Sequence, residues 1–334
     1  MRRLLLALGL TLLMIATATS QTSDRVYRLG IIVPSGPKEN LTAIGPPPFR
    51  MFFQELRRLG YVEGQNLRVE RDSAGGRPDF APELVRWITA QNPDVIFTTS
   101  AWVLLQIKAA APTVPAVGSI SDPVGYGVVA SLAQLGDTIA RISADAAAEV
   151  FGKRLQLLRE MVPTATKVAF LTSRANWDNI FGKAAREVAG RVGLSLVGPP
   201  LDPPAGEAEY RRVFAAMVEQ RPDALLVDDT AENLSHRRLI ADLAQGHRLP
   251  ALYPLREYVN AGGTAAYAPD LLDLGRQAAI MVDAILRGEK PGDVRVYQPT
   301  RFLLIISRKS ARKIGLDIPP ALLTAADDII ESAP

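Results

Sequence analysis

Short apolar runs alternate with amphipathic stretches through most of the chain. Residues 29–33 form a continuous apolar run that stops at Pro34-Ser35-Gly36-Pro37, which predicts a buried strand followed by a loop. Phe49, Phe52, Phe53, Leu56 and Leu59 then recur at helical spacing behind the start signal Pro46-Pro47-Pro48. A strand at 67–69, a helix marked by Leu84, Val85 and Ile88, a strand at 95–97, a helix over 102–111 and a strand at 116–118 complete the series. Continuous apolar strands separated by helices predict a parallel sheet covered on both faces.

The rhythm then starts again. Strands are expected at 168–171, 194–197, 224–227 and 251–253, with a helix over 180–192 and another whose stripe is Tyr210, Val213, Phe214, Met217 and Val218. A charged helix carrying Leu239, Ile240 and Leu243 is expected over 234–247. Three phrases recur in the same order and at nearly the same separation. Gln91-Asn92-Pro93-Asp94 matches Gln220-Arg221-Pro222-Asp223, Val114-Pro115-Ala116-Val117 matches Leu249-Pro250-Ala251-Leu252, and residues 28–33 match 167–172 more loosely. The expected fold is therefore α/β, with two similar Rossmann-like lobes, each built on a parallel sheet, facing each other across a cleft.

A further helix, with Leu274, Ala278, Met281, Val282 and Ile285 closed by Gly288, and an apolar strand at 302–306 follow the second lobe. They let the chain cross back. Segments 139–143, 265–268 and 296–300 are the expected crossings, making a three-strand hinge on which two rigid halves close. The expected division is an export signal at 1–20, an N-terminal lobe of 24–142 plus 270–292, and a C-terminal lobe of 143–269 plus 293–334.

Composition narrows the class. A chain of 334 residues with 48% hydrophobic and 22% charged residues is folded and long enough for two units. The formal charge of +3 falls close to neutral once Arg2 and Arg3 are set aside, and the other basic residues alternate with acids, so no nucleic-acid partner is expected. Those two arginines open a signal-like segment: a positive end, an apolar run over 4–15, and small residues Ala16-Thr17-Ala18, with cleavage expected near Ala18 or Ser20. The run is too short to span a bilayer. With no cysteine there is neither a disulfide nor a lipid attachment point, so the expected address is the periplasm of a Gram-negative cell.

In an open parallel sheet, ligands sit beyond the carboxyl ends of the strands. The loops there carry Ser35; Thr99, Ser100 and Trp102; Ser119 and Asp122; Ser173 and Asn176; Asp229; Tyr253; and, nearer the hinge, Tyr267. Thr99 and Ser100 stand where free N–H groups and a helix N-terminus suit an anion, although Ser100 equally suits capping its own helix. Asp122 before Pro123 either accepts from a ligand ammonium or simply starts a helix. Of the pair Asp228 and Asp229, neighbours on a strand point opposite ways, so one is expected to face the cleft. Trp102, Trp177, Tyr253 and Tyr267 suit an apolar or aromatic ligand, or a cation over a ring face. His236 and His247 both ride the charged helix, and no nucleophile–base pair, zinc pattern or phosphate loop is visible. No catalytic residue, cofactor or metal is expected.

Five ordered segments carry a family resemblance: residues 55–66, closing on Gly64-Gln65-Asn66; Asp122-Pro123-Val124-Gly125; residues 152–158, opening Gly152-Lys153-Arg154; residues 256–263; and 314–320. Through them the chain resembles the periplasmic substrate-binding components of ABC transporters with the type I periplasmic-binding-protein fold, in the tryptophan/tyrosine-type branch. The resemblance implies two lobes on a hinge that capture a small molecule and hand it to an inner-membrane permease; a monomer that leaves its ligand unaltered is expected, with an amino acid or aromatic carboxylate favoured. By position it also implies the loop residues named above, other than Trp102, as ligand contacts. Trp102 and Arg174 stand where the family carries smaller residues, narrowing the pocket or adding a charge. The competing expectation is a two-domain α/β enzyme of glycosyltransferase or sugar-nucleotide type.

Overall fold

A computed structural model describes residues 25–77, 80–120, 138–143 and 147–331. The first half runs β1 (Tyr27–Val33), α1 (Pro47–Arg58), β2 (Leu67–Ser73), α2 (Ala81–Thr89), β3 (Val95–Thr98), α3 (Ala101–Ala110), β4 (Ala116–Ile120) and β5 (Ile139–Ser143). The second opens with α4 (Ala147–Met161), β6 (Lys167–Leu171), α5 (Arg174–Asp178), α6 (Ile180–Arg191), β7 (Ser195–Val197), α7 (Glu207–Glu219) and β8 (Ala224–Val227). It continues through α8 (Ala231–Ser235), α9 (Arg237–Gly246), β9 (Ala251–Tyr253), α10 (Arg256–Asn260), β10 (Ala265–Pro269) and α11 (Leu271–Leu286). The tail is β11 (Phe302–Ser307), α12 (Arg308–Lys313), α13 (Pro320–Ala325) and β12 (Asp328–Ile330).

Two sheets result. The first has strand order β2-β1-β3-β4-β5 and is parallel throughout. In the second, β7-β6-β8-β9-β10 repeats that order strand for strand, and β11 and β12 extend it. β11 runs antiparallel to β10, the one departure from parallel pairing among the described strands. Each sheet is covered on both faces by an apolar cluster, which is why its strands read as unbroken apolar runs.

The repeated sequence phrases have one structural cause. Asp94 accepts from Arg28 N at 2.7 Å, its own N–H donates to Arg28 O at 2.8 Å, and Arg28 Nη1 donates to Gln91 O at 3.0 Å. In the second lobe Asp223 accepts from Lys167 N at 2.9 Å, donates to Lys167 O at 2.8 Å, and Lys167 Nζ donates to Gln220 O at 2.9 Å. Asn92 and Arg221 take the same left-handed turn, with φ of 51° and 49°. Each phrase locks the entry of the third strand of its lobe to the first. The repetition is architectural.

Two helices mark where the chain changes lobe. α4 follows β5 yet places Phe151, Leu155 and Leu158 in a core with Phe170 and Ile306 of the second sheet. α11 follows β10 yet packs Ala278, Met281, Val282 and Ile285 with Phe52 and Leu56 of α1. The chain therefore crosses after β5, after β10 and before β11. The crossings lie side by side: Tyr297 N donates to Arg141 O at 3.1 Å and Asp270 N to Arg301 O at 3.0 Å.

The α1–α11 contact depends on Gly275. A Cβ there would run into Pro48 O and lie 3.3 Å from Pro48 C, both backbone atoms that cannot swing aside. Gly275→Ala is expected to cost about 1–3 kcal/mol by forcing the helices apart, measurable as a lower urea midpoint.

Candidate functional site

The carboxyl ends of β6, β8 and β9 build one wall. Beyond β6, Thr172 is fully buried, and Ser173 caps α5 by accepting from Asn176 N at 3.2 Å. The segment read as a loop is thus a five-residue helix. It presents Asn176, whose Nδ2 donates to Asp228 Oδ2 at 2.8 Å; Thr172 Oγ1 donates to the same oxygen. Asp228 Oδ1 accepts from the N–H of Asp229 at 2.9 Å. Buried and satisfied, Asp228 ties β6, β8 and α5 together.

Asp229 follows Asp228, both beyond the last residue of β8. It is exposed to solvent. Burial pushes its carboxyl above the usual range; Arg154 opposes the shift, and Asp228 and Glu257 add to it.

Arg154 on α4 completes this wall. Its Nε donates to Tyr267 O at 3.1 Å and its Nη2 to Pro254 O at 3.2 Å, so it ties the middle of β10 to the residue that follows β9. Burial draws its guanidinium down from the ordinary value, and Asp229 and Asp228 pull it back up. Glu257 Oε2 and the Tyr258 hydroxyl are buried nearby without partners among the described residues. Three carboxylates against one guanidinium leave this wall short of a cation, a chemistry that suits a protonated amine.

In the sequence Arg154 stands out only as part of Gly152-Lys153-Arg154. The available signal was its spacing: Phe151, Arg154, Leu155 and Leu158 share one helical face, so a charge interrupts a buried stripe.

The facing wall comes from the first sheet. Ser35 follows β1 and is half-buried; Thr99 is exposed beyond β3. Ser100 caps α3, accepting from Val103 N at 3.3 Å, while its own N–H donates to Thr98 Oγ1 at 3.2 Å. Trp102, at 37% exposure, stands on the first turn of α3. Ser119 lies on β4, its side chain not among those described; Asp122 and the segment 1–20 lie outside the described residues.

Three aromatic expectations need revision. Tyr253 is wholly buried, its ring stacked on Tyr258 at 5.1 Å and pressed by Gly263, where a Cβ would lie 2.9 Å from Tyr253 Cδ2. Its side chain faces the core, away from the cleft. Trp177 packs on Phe170 at 6.3 Å beneath the Arg186 guanidinium at 4.8 Å. Tyr267 is half-buried and stacks on Phe302 at 5.6 Å, contributing to the wall through its carbonyl. Arg174 pairs with Asp202, so its charge is answered locally. His236 does not ride one long helix; it separates α8 from α9, its ring 4.7 Å from that of Tyr210. Among the described residues no cluster of three or more His, Cys, Asp or Glu side chains suits a metal, and no helix is long and apolar enough to cross a membrane.

Two lobes of one topology, joined by adjacent crossings and lined with hydroxyls and charges at facing strand ends, are the architecture of type I periplasmic binding proteins. The profile of the family described as ABC transporter substrate binding protein matches residues 51–330, and the chain belongs to that family. No curated protein matches the chain. Among solved structures, a conserved domain protein from Vibrio cholerae has 23% identity and a TM-score of 0.80, covering 91% of this chain and 100% of its own. An ABC domain from Streptococcus pneumoniae in complex with L-Trp has 19% identity and a TM-score of 0.75, with 91% and 100% covered. A solute-binding protein from Agrobacterium vitis bound to α-D-tagatopyranose has 15% identity and a TM-score of 0.59, with 92% and 100% covered. At these identities the likeness is one of fold.

Proposed function

We propose that the chain is the periplasmic solute-binding component of an ABC importer. Its lobes, 24–142 plus 270–292 and 143–269 plus 293–334, close on a small ligand and pass it unaltered to a permease in the inner membrane. The ligand class we favour is an amino acid. This choice is supported by Asp229, exposed beyond β8 and close to Asp228 and Glu257 with one guanidinium, Arg154, among them. That wall takes the ammonium group. The hydroxyls of Thr99 and Ser100 at the start of α3 take the carboxylate, and Trp102 borders the side chain. A simple aromatic carboxylate meets only half of this arrangement. The ligand stabilises the closed form because it touches both lobes at once.

A thermal-shift panel of the common amino acids against neutral sugars tests the reading. A ligand at a hundred times its dissociation constant adds about 2.7 kcal/mol, a shift of several degrees. At least one amino acid should produce it. A shift given by sugars alone would overturn the assignment.

A further inference from the structure

The turn after β2 carries Gly75 and Gly76, with φ of 60° and 81°. Gly76 faces α8 of the opposite lobe. A Cβ built on it would run into Ser235 Oγ and lie 2.9 Å from Ser235 Cβ, with Ala231 O at 3.8 Å. Ser235 Oγ is buried and has no hydrogen-bond partner among the described residues. At this point the two lobes meet directly, glycine backbone against a serine side chain.

Both sides of the contact are anchored to the candidate site. Gly76 N donates to Pro34 O at 2.8 Å, and Ala74 N to Val33 O at 2.9 Å, which fixes the turn to the loop carrying Ser35. On the other side Thr230 caps α8 by accepting from Asn233 N at 3.2 Å. Asn233 is fully buried; its Nδ2 donates to Leu171 O at 3.2 Å and Asp228 O at 3.1 Å, and its Oδ1 accepts from Tyr210 Oη at 2.9 Å. Through these bonds the Gly76–Ser235 contact joins the loop of Ser35 to the strand end that bears Asp229.

We propose that Gly76 is a positioning residue for lobe closure. Having no side chain, it lets the halves approach until the turn seats on Ser235, and this stop sets the angle at which Ser35 and Asp229 face each other. The inference rests on the two-lobed closing motion proposed above but not on the identity of the ligand. A β-carbon at residue 76 would hold the lobes apart. Removing the Ser235 side chain takes away both of the atoms it would strike, leaving only Ala231 O at ordinary contact distance.

The test is a four-member cycle of the parent, Gly76→Ala, Ser235→Gly and the double variant, without added ligand. The chain has no cysteine, so spin labels enter cleanly through Arg86→Cys on α2 and Arg238→Cys on α9, both exposed and on opposite lobes. The parent is expected to show a short inter-lobe distance population that Gly76→Ala loses and the double variant regains, with Ser235→Gly alone retaining it. Backbone strain from alanine at positive φ is present in both Gly76→Ala members, so recovery in the double reports the contact itself. Melting curves verify that each member is folded. A short population surviving in Gly76→Ala, failing to return in the double, or missing from the parent overturns the proposal. Because no ligand is present, a failed ligand panel leaves this readout intact, and a failed cycle leaves the ligand assignment standing.

Discussion

Arg154→Met is expected to destabilise the protein by about 3 kcal/mol and to remove ligand binding altogether. The guanidinium holds two carbonyls, Tyr267 O and Pro254 O, and lies beside Asp228 and Asp229. Methionine keeps an unbranched aliphatic side chain while deleting the charge. Removing one partner of a buried charge cluster leaves the others uncompensated, a loss of about 3–5 kcal/mol in comparable cases. The lower figure applies here because Arg154 is only half-buried. Denaturant unfolding measures the stability loss, and calorimetric titration the lost binding. Unchanged stability would show that Arg154 neutralises nothing.

Asp229→Asn should act in opposite senses on stability and on binding. Burial raises the Asp229 carboxyl in the folded protein above its ordinary value, with Asp228 and Glu257 adding to the shift and Arg154 opposing it. A carboxyl raised on folding contributes most to stability below its unfolded pKa and loses that contribution as pH rises through the folded one. Near neutral pH the ionised group is therefore a burden on the ligand-free fold. Asparagine relieves it, so the variant should melt higher than the parent at about pH 7, with the gap closing toward about pH 3. Ligand affinity should fall about a hundredfold, because an ammonium loses its charged acceptor. A variant that melts lower at neutral pH and binds as tightly as the parent would remove Asp229 from the site.

How much of this was legible in the residues depends on what kind of physics wrote it. Burial on both faces leaves unbroken apolar runs, so β1, β3, β6, β8 and β9 could be placed from residues 29–33, 95–97, 168–171, 224–227 and 251–253. The paired Gln-x-Pro-Asp phrases were visible because each lobe needs the same lock between its first and third strands. Short elements left no periodicity: α5 and α10 span five residues each, barely more than one turn. Side-chain direction was harder still. All three residues of β9 are buried, so no alternation marks which way Tyr253 points, and it turned out to belong to the core. Asp228 and Asp229 differ in burial, the first buried and the second exposed, yet both lie beyond the end of β8, where strand alternation gives no guide. Arg154 was missed because an arginine on a helix is ordinarily solvated, and only its position on the Phe151–Leu158 stripe says otherwise. The contact of Gly76 with Ser235 joins positions far apart in the chain, and nothing local announces it.

The most direct measurement is a pair of calorimetric titrations: the amino acid that gives the largest thermal shift, and the same molecule without its amino group. Saturable one-to-one binding is expected for the first, with the second at least about a hundredfold weaker, since it offers no cation to the wall of Asp229 and Glu257. Equal affinities for the two, or no heat from either, would contradict a cleft built to hold an ammonium between two closing lobes.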